Sequence, residues 1–342
     1  MKAQLKELQK IYQTKLNNNN IPLPRIIHIE TRTKCNGLCS FCEASVKTDK
    51  REDKHMSLDL VKMIINELKE VDYSNRLSFY NNNEPFIDKR IFEMIKLART
   101  ALPYAYLELK SNGKNLTKEM VFEIFNAGLD MLYINDYKDD YQMTENVKKI
   151  KEELNNSRRL KGHLAGDTYH SRIMISSEDI NKVKGTRAGT SPNKKFTGKP
   201  LDKMCMRPFE MITIGPDGQI GTCSEDFHYA MNMGNVDNNK REFTKLFDLW
   251  TGEKWNNLRK ELINGNRSYN NLCSKCDYRG HTFEILNENG LYKPSIMLNT
   301  KAILKNIYIS MKSQSSKVTP VGKKPPNKTK IIPIETNHKS EK

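Results

Sequence analysis

The sequence predicts an α/β fold: a parallel sheet of alternating strands and helices, followed by a small unit with a β-hairpin and helices. Between residues 25 and 180, short apolar runs alternate five times with stretches of helical periodicity. This alternation is typical of a parallel sheet with right-handed crossovers, and a barrel, open or closed, fits it better than a sandwich. After residue 205, the turn sequence Pro216-Asp217-Gly218 separates two further apolar runs, as in a β-hairpin.

Residues 1–24 precede the first strand and are predicted to form an N-terminal helix. Apolar side chains recur at helical spacing within residues 1–18, at Leu5, Leu8, Ile11 and Tyr12. An asparagine run and two prolines follow and end the helix.

The barrel is predicted to span residues 25–180. Its strands are predicted at Ile26–Glu30, Arg76–Tyr80, Tyr104–Lys110, Met131–Asn135 and Arg172–Ser176. Its helices are predicted at Ser57–Val71, Asp88–Leu102, Thr117–Ala127 and Tyr141–Leu154. Ser57 is the expected N-cap of the first of these helices, and Gly128 ends the third. In such barrels, functional side chains lie in the loops that follow the carboxyl ends of the strands.

A connector, residues 181–204, leads to the second unit, predicted at residues 205–285. Within it, Phe209–Ile214 and Gln219–Cys223 form the predicted hairpin, and Phe243–Ile263 forms a helix that contains both tryptophans. A C-terminal segment, residues 286–311, includes a further helix predicted at Lys301–Met311. Residues 312–342 are rich in Ser, Lys and Pro and are predicted to be a disordered basic tail.

The net charge of +16 raises the question of a nucleic-acid partner. Residues 312–342 contain eight lysines and two glutamates, so a large part of the excess lies outside the predicted core. We therefore expect a solvated, nonspecific charge rather than a nucleic-acid interface. No apolar run is long enough to span a membrane, and no secretory signal is evident, so a cytoplasmic protein with reduced cysteines is expected.

Three of the seven cysteines, Cys35, Cys39 and Cys42, lie in a loop that directly follows the first predicted strand. Thiolates at this spacing can converge on one soft metal centre. Structural zinc normally takes four ligands, and no fourth cysteine lies nearby. His55 could supply the fourth ligand, so zinc remains an alternative. Three ligands would leave one iron of a four-iron cluster open to a small molecule.

The C-x3-C-x2-C pattern, with the aromatic residue Phe41 before the last cysteine, resembles the radical S-adenosylmethionine (SAM) superfamily. The resemblance implies a partial (β/α)6, TIM-like barrel and a [4Fe-4S] cluster whose open iron binds S-adenosylmethionine. It also implies reductive cleavage of that cofactor to a 5′-deoxyadenosyl radical, which abstracts a hydrogen atom from substrate. Phe41 is then expected to contact the cofactor.

The same resemblance implies cofactor-binding side chains at later strand ends. Tyr80 to Phe86 is similar to the family's Gly-Gly-Glu-Pro segment, with asparagines in place of both glycines. Ser111-Asn112-Gly113 is similar to a Thr-Asn-Gly segment, and Asn135-Asp136 follows the fourth strand. The expected cofactor-binding residues are Phe41, Asn82, Asn83, Glu84, Ser111, Asn112, Asn135 and Asp136.

The remaining four cysteines, Cys205, Cys223, Cys273 and Cys276, form a second full ligand set. On ligand count alone they suit zinc or an iron–sulfur cluster equally well. Their C-x12-G-x4-C hairpin followed by C-x2-C resembles the SPASM/Twitch auxiliary-cluster domains. Because no cysteine follows Cys276, the resemblance is to the Twitch form with one fully ligated auxiliary [4Fe-4S] cluster.

Thr186-Arg187-Ala188-Gly189 resembles a segment found between the two domains of Twitch dehydrogenases. It implies that Arg187 is a catalytic-site residue that orients a substrate oxygen, since arginine is too basic to act as the base. The expected function is radical oxidation of a small polyol, sugar or aminocyclitol-like substrate, with an electron donor such as flavodoxin or ferredoxin. Modification of a peptide or protein side chain is the alternative within enzymes, mutase or epimerase chemistry is also open, and a zinc-stabilised nucleic-acid-binding protein is the alternative outside them.

Overall fold

A computed structural model describes residues 2–138, 142–156, 173–279, 284–286 and 292–294. A seven-stranded sheet organises the fold, in the order β5-β4-β3-β2-β1-β6-β7. All neighbouring strands are parallel except β6 and β7, which are antiparallel. The predicted α/β class and the parallel sheet are therefore confirmed.

Each predicted strand and helix of the first unit is present, with shifted ends. The strands are β1 Ile26–Ile29, β2 Arg76–Ser78, β3 Tyr106–Ser111, β4 Met131–Lys138 and β5 Ile173–Asp179. The helices are α1 Lys2–Asn17, α2 Leu58–Glu70, α3 Ile91–Ala101, α4 Lys118–Asn126 and α5 Glu145–Asn156. The helix predicted from Asp88 begins later because Pro85–Ile87 forms a short 3-10 turn first.

The ends of helices α2 and α4 carry capping residues. Ser57 caps α2, with its hydroxyl accepting a hydrogen bond from the Leu60 amide. Thr117 caps α4 in the same way through the Met120 amide. Gly128 follows α4 with φ of 112°, a conformation that a residue with a Cβ adopts only with strain.

The N-terminal helix α1 packs on the second unit. Tyr12 is buried, and its ring lies 4.8 Å from that of Phe209 at a steep angle. Gln9 donates a hydrogen bond to the carbonyl of Ile263. The prediction that Ile11 belongs to the apolar face was wrong, because its side chain is 42% exposed while Leu16 is buried.

The hairpin of the second unit joins the main sheet. Its strands are β6 Met211–Ile214 and β7 Ile220–Gly221, and β6 pairs in parallel with β1. The sixth strand therefore lies at the β1 edge. Phe209, predicted to start this strand, belongs to the short helix α6 Arg207–Glu210.

The single helix predicted at Phe243–Ile263 is two helices, α7 Leu246–Thr251 and α8 Glu253–Ile263. The break falls at Gly252, whose extended backbone would bring the Cβ of any other residue to 2.8 Å from the Asp248 carbonyl oxygen. Both tryptophans are buried, and their indole N–H groups donate to the Pro22 and Pro208 carbonyls. The remaining elements are α9 Asn271–Ser274 and the paired strands β8 Glu284–Leu286 and β9 Tyr292–Pro294.

The two faces of the main sheet differ in polarity. One face carries buried apolar residues, among them Ile27, Leu77 and Leu107. The opposite face, here called the polar face, carries the row Thr213, His28, Ser78 and Glu108 across four neighbouring strands. This alternation follows from the two-residue repeat of a strand.

No described helix is long and apolar enough to cross a membrane. The predictions of a helix at Lys301–Met311 and of a disordered tail at residues 312–342 lie outside the described residues. The domain boundaries stay predictions.

Candidate functional site

The loop with the first three cysteines leaves β1 and returns to it. Thr33 donates its amide to the Lys54 carbonyl, and Arg32 forms a β-bridge with His55, so the loop is closed at its base. Within the loop, the amide of Cys42 donates to the carbonyl of Cys39. The loop is therefore a closed excursion from the carboxyl end of a sheet strand.

The sulfurs of Cys35 and Cys39 lie on the same side of Gly37. A Cβ added at Gly37 would stand 3.3 Å from Cys35 Sγ and 3.7 Å from Cys39 Sγ. The Gly37 amide donates to Cys35 Sγ at 3.3 Å, and Asn112 Nδ2 lies 3.7 Å from the same sulfur. Burial raises the pKa of Cys35 to about 11 and that of Cys39 to about 12. Buried thiols of this kind become thiolates when a positive metal centre balances their charge.

Glu84 lies buried where β2 meets β3 and is bonded at both carboxylate oxygens. Oε1 accepts from the Phe86 amide and from Ser111 Oγ, and Oε2 accepts from the Asn112 amide at 2.7 Å. Burial raises the pKa of Glu84 to about 7, against these hydrogen bonds. Glu84 therefore ties the predicted Asn82–Glu84 and Ser111–Asn112 segments into one structure.

Asn82 and Arg187, far apart in sequence, meet through their side chains. Arg187 Nη2 donates to Asn82 Oδ1 at 2.6 Å and to the Ser224 carbonyl at 3.1 Å. Asn82 Nδ2 and Arg187 Nε are buried without a hydrogen-bond partner among the described residues. Two N–H donors that lack an acceptor thus lie close together, as expected where a bound molecule accepts their hydrogen bonds.

The other predicted cofactor-binding residues divide into two groups. Phe41 packs on Tyr137 with ring centroids 4.9 Å apart, and Asn135 Oδ1 accepts from Ser176 Oγ. Asn83 Nδ2 donates to Thr31 Oγ1 beside the first loop. Asp136 differs, because it alternates with Asn135 along β4 and its carboxylate accepts from the Thr144 amide at the start of α5. Asn135 therefore lies on the polar face and Asp136 on the opposite face.

The second cysteine set surrounds one partly enclosed space. Cys205, Cys223, Cys273 and Cys276 all line the same cavity. Burial raises the pKa of Cys223 strongly, that of Cys273 to about 12 and that of Cys276 to about 11. A cavity lined by four buried or half-buried thiols fits a four-iron cluster with all four irons ligated by protein.

The connector ties the two cysteine sites together. Arg187, Ala188 and Gly189 all have positive φ, at 44°, 52° and 92°, and Ala188 lines the second cysteine cavity. The preceding Thr186 donates its amide and its hydroxyl to Asp277, the residue after Cys276. One left-handed turn thus contacts the cavity wall through Ala188 and the first site through Arg187.

Residues 29–159 match the family model of the radical SAM superfamily, and residues 205–277 match SPASM, an iron-sulfur cluster-binding domain. The chain therefore contains a radical SAM domain and a SPASM domain. Its radical SAM domain binds S-adenosylmethionine and a [4Fe-4S] cluster, and its SPASM domain binds an auxiliary iron–sulfur cluster. These matches favour the predicted enzyme over the zinc-stabilised nucleic-acid-binding protein.

Among curated proteins, the chain is similar to an S-adenosyl-L-methionine-dependent 2-deoxy-scyllo-inosamine dehydrogenase of Niallia circulans. The two are 24% identical over 252 residues, which are 74% of this chain and 92% of that protein. Among solved structures, it is similar to BtrN in complex with AdoMet and 2-DOIA, with a TM-score of 0.63, 22% identity, and coverage of 79% of this chain and 97% of that one. An open conformation of BtrN gives a TM-score of 0.53 at 19% identity, covering 80% and 97% of the two chains. These structures share the fold of this chain.

The zinc alternative at the first site depended on His55. In the structure His55 is exposed, and its Nε2 lies 3.4 Å from Asp53 Oδ1. The described residues contain no group of three His, Cys, Asp or Glu side chains placed to hold a single metal ion.

The sequence did not reveal the residues that anchor the loop containing Cys35, Cys39 and Cys42. Arg51 Nη1 donates to Glu30 Oε1 at 2.8 Å, and Glu30 Oε2 accepts from the Tyr229 hydroxyl at 2.7 Å. The Arg51 guanidinium lies 4.0 Å from the centroid of the Phe227 ring. Glu30 ended the first predicted strand, and the other three residues lie in loops without a sequence pattern, so residue spacing could not predict these contacts.

Proposed function

We propose that the protein is a radical SAM oxidoreductase that oxidises an alcohol or amine carbon of a small polyol, sugar or aminocyclitol-like substrate. The observation that carries the proposal is the turn at Arg187–Gly189. It contacts Asn82 in the radical SAM domain and forms part of the wall of the second cysteine cavity. A substrate near Arg187 would therefore lie between a site that abstracts hydrogen and a site that accepts an electron.

The residues present fit both clusters. Cys35, Cys39 and Cys42 would hold the first cluster by three irons, and the four cysteines of the second cavity would hold the other completely. When bound, the first cluster with S-adenosylmethionine supplies a hydrogen-abstracting carbon radical, and the auxiliary cluster supplies an electron acceptor. Asn82 Nδ2 and Arg187 Nε would donate to polar groups of cofactor or substrate, because both are buried without a partner among the described residues.

The polar face of the sheet suits a substrate rich in hydroxyl groups. Tyr80 donates its hydroxyl to Glu108 Oε1 at 2.8 Å, and the Lys110 ammonium lies 5.7 Å and 5.4 Å from the Tyr80 and Tyr133 ring centroids. Burial lowers the pKa of Lys110, and Glu108 counteracts this only in part. The Lys110 ammonium donates no hydrogen bond to another described residue, so it is a group that would contact a substrate oxygen.

The relatives agree with this substrate class. The curated relative is a 2-deoxy-scyllo-inosamine dehydrogenase, and the similarity covers 74% of this chain and 92% of that protein. An external one-electron donor of the flavodoxin or ferredoxin type would reduce the first cluster. Within the part of the chain that the structure describes, no feature favours the peptide-modifying alternative.

The test is a reaction of the anaerobically reconstituted, reduced protein with S-adenosylmethionine and polyols or aminocyclitols deuterated at the carbinol carbon. We expect deuterium in 5′-deoxyadenosine and a product two hydrogens lighter than the substrate. A product of unchanged mass would indicate a mutase or epimerase and would refute oxidation. Deuterium transfer only from a peptide substrate would refute the substrate class.

Two cysteine variants separate the two sites. We expect Cys39→Ala to abolish cleavage of S-adenosylmethionine, while Cys223→Ala retains cleavage and loses product. The iron content should be about eight per chain in the parent, from two four-iron clusters, and about four in either variant. Parent-like behaviour of both variants would contradict the assignment.

A further inference from the structure

Two arginines line the second cysteine cavity together with the four thiols. Arg267 is 1% exposed, and the Arg207 side chain is 17% exposed. The same cavity includes one carboxylate, that of Glu225. Fixed charges of both signs therefore surround the place where an iron–sulfur cluster would lie.

The two arginines differ in how their charge is balanced. Arg207 Nη1 lies 3.4 Å from Glu225 Oε1, so a carboxylate partly neutralises its charge. Arg267 donates instead to three backbone carbonyls, those of Lys203, Met204 and Tyr278. Within the described part of the chain, no carboxylate lies within salt-bridge distance of Arg267. A fully buried guanidinium without a counter-charge is costly, and proteins rarely retain one.

The cysteines are the group that can balance Arg267. Arg267 lines the same cavity as Cys273 and Cys276, so its guanidinium lies beside the sulfurs that would hold the cluster. Four thiolates around a four-iron core carry a net negative charge, which increases by one when the core accepts an electron. A buried cation beside this cavity therefore stabilises the reduced state more than the oxidised state.

We infer that Arg267 is the counter-charge of the auxiliary cluster and raises its reduction potential, so that the cluster accepts an electron from the substrate more readily. Arg207 contributes less because Glu225 offsets it. In the oxidation, the hydrogen atom would pass from the substrate carbon to the 5′-deoxyadenosyl radical, giving 5′-deoxyadenosine. The hydroxyl proton would pass to solvent water, and the remaining electron would reduce the auxiliary cluster by one electron. The inference rests on the proposed role of the four cysteines and not on the identity of the substrate.

The test is a redox titration followed by electron paramagnetic resonance on the full-length, reconstituted protein. The same substitutions in a chain with Cys35, Cys39 and Cys42 changed to Ala assign the signal of the auxiliary cluster. We expect Arg267→Gln to shift the one-electron reduction equilibrium at least tenfold toward the oxidised form, which is about 59 mV lower in midpoint. Arg207→Gln should give a smaller shift in the same direction.

Glu225→Gln should shift the midpoint potential of the auxiliary cluster in the opposite direction. Removing this negative charge should raise the midpoint potential of the auxiliary cluster. A substitution that only disturbed folding or packing would not be expected to raise this potential. Arg267→Lys, which keeps the charge, should stay nearer the parent than Arg267→Gln. An unchanged midpoint in Arg267→Gln, or a lowered midpoint in Glu225→Gln, would overturn the inference. A protein that binds only about four irons would instead overturn the proposed second cluster itself.

Discussion

Replacing Arg51 with methionine should destabilise the protein strongly, although Arg51 lies in a loop. Its side chain is 14% exposed and those of its partners Glu30 and Asp49 are 0% and 3% exposed, so the substitution leaves two buried carboxylates without this cation. Removing one partner of a buried ion pair costs about 3 to 5 kcal/mol. Glu30 keeps the hydroxyl hydrogen bond from Tyr229, so we expect about 3 kcal/mol, the lower end of that range.

The assay is urea unfolding of the cluster-free protein under anaerobic, reducing conditions, followed by far-ultraviolet circular dichroism. Arg32 offers a matched control, since its contact with Asp53 is also an arginine–carboxylate pair at the base of the same loop. The side chains of that pair are 22% and 42% exposed, so Arg32→Met should cost at most about 1 kcal/mol.

A double variant tests the mechanism. In Arg51→Met with Glu30→Gln, the charge of Glu30 is removed and Asp49 keeps Lys34 at 3.9 Å, so part of the lost free energy of unfolding should return. If Arg51→Met destabilises no more than Arg32→Met, the buried pair does not stabilise the loop and the reasoning fails.

Three further outcomes follow from particular groups. Burial, with Arg76 and Lys110 adding to it, lowers the pKa of His28 from 6.5 to about 3, so the unfolded chain binds a proton first as the pH falls. The free energy of unfolding should therefore drop by about 1.4 kcal/mol per pH unit below pH 6.5, and His28→Gln should flatten this dependence in urea titrations. Asn112→Ala removes the donor at 3.7 Å from Cys35 Sγ and should lower the midpoint potential of the first cluster in a redox titration, whereas an unchanged potential would exclude that contact. Asp277→Ala removes the carboxylate that accepts hydrogen bonds from the Thr186 amide and hydroxyl. Because each hydrogen bond to a charged group contributes about 1.5 kcal/mol, limited proteolysis of the connector should accelerate about tenfold or more.

The sequence allowed the alternation of strands and helices to be predicted because local chemistry determines it. Ser57 and Thr117 each cap the helix that follows, and Gly128 ends a helix in the one backbone region where glycine has the advantage. The position of β6 could not be predicted in this way. Its pairing with β1 joins residues about 185 apart in sequence, and no local pattern specifies the edge of a sheet that a distant strand joins.

The cysteine sites were predicted from spacing, but their surroundings were not. Glu84 stays a predicted cofactor-binding residue, but spacing did not predict the three hydrogen bonds that its carboxylate accepts from Phe86, Ser111 and Asn112. Asn135 and Asp136 both stay predicted cofactor-binding residues, but as adjacent residues of β4 they point to opposite faces. Arg267 gave no signal because an arginine after a helix is ordinarily a solvated residue, and only burial against four thiols distinguishes it.

The left-handed turn at Arg187–Gly189 is the feature that links the two sites most directly. Two of its three positive-φ residues carry a Cβ, and such a conformation persists only where the surroundings hold it in place. Here Thr186 is fixed by Asp277, next to a cysteine of the second site, and Arg187 is fixed by Asn82 of the first. An extended connector would relieve the strain but would separate Ala188 from the cavity and Arg187 from Asn82. The strained turn therefore holds Arg187 against Asn82 and Ala188 against the second cysteine cavity at the same time. An enzyme with two coupled redox sites requires both contacts together.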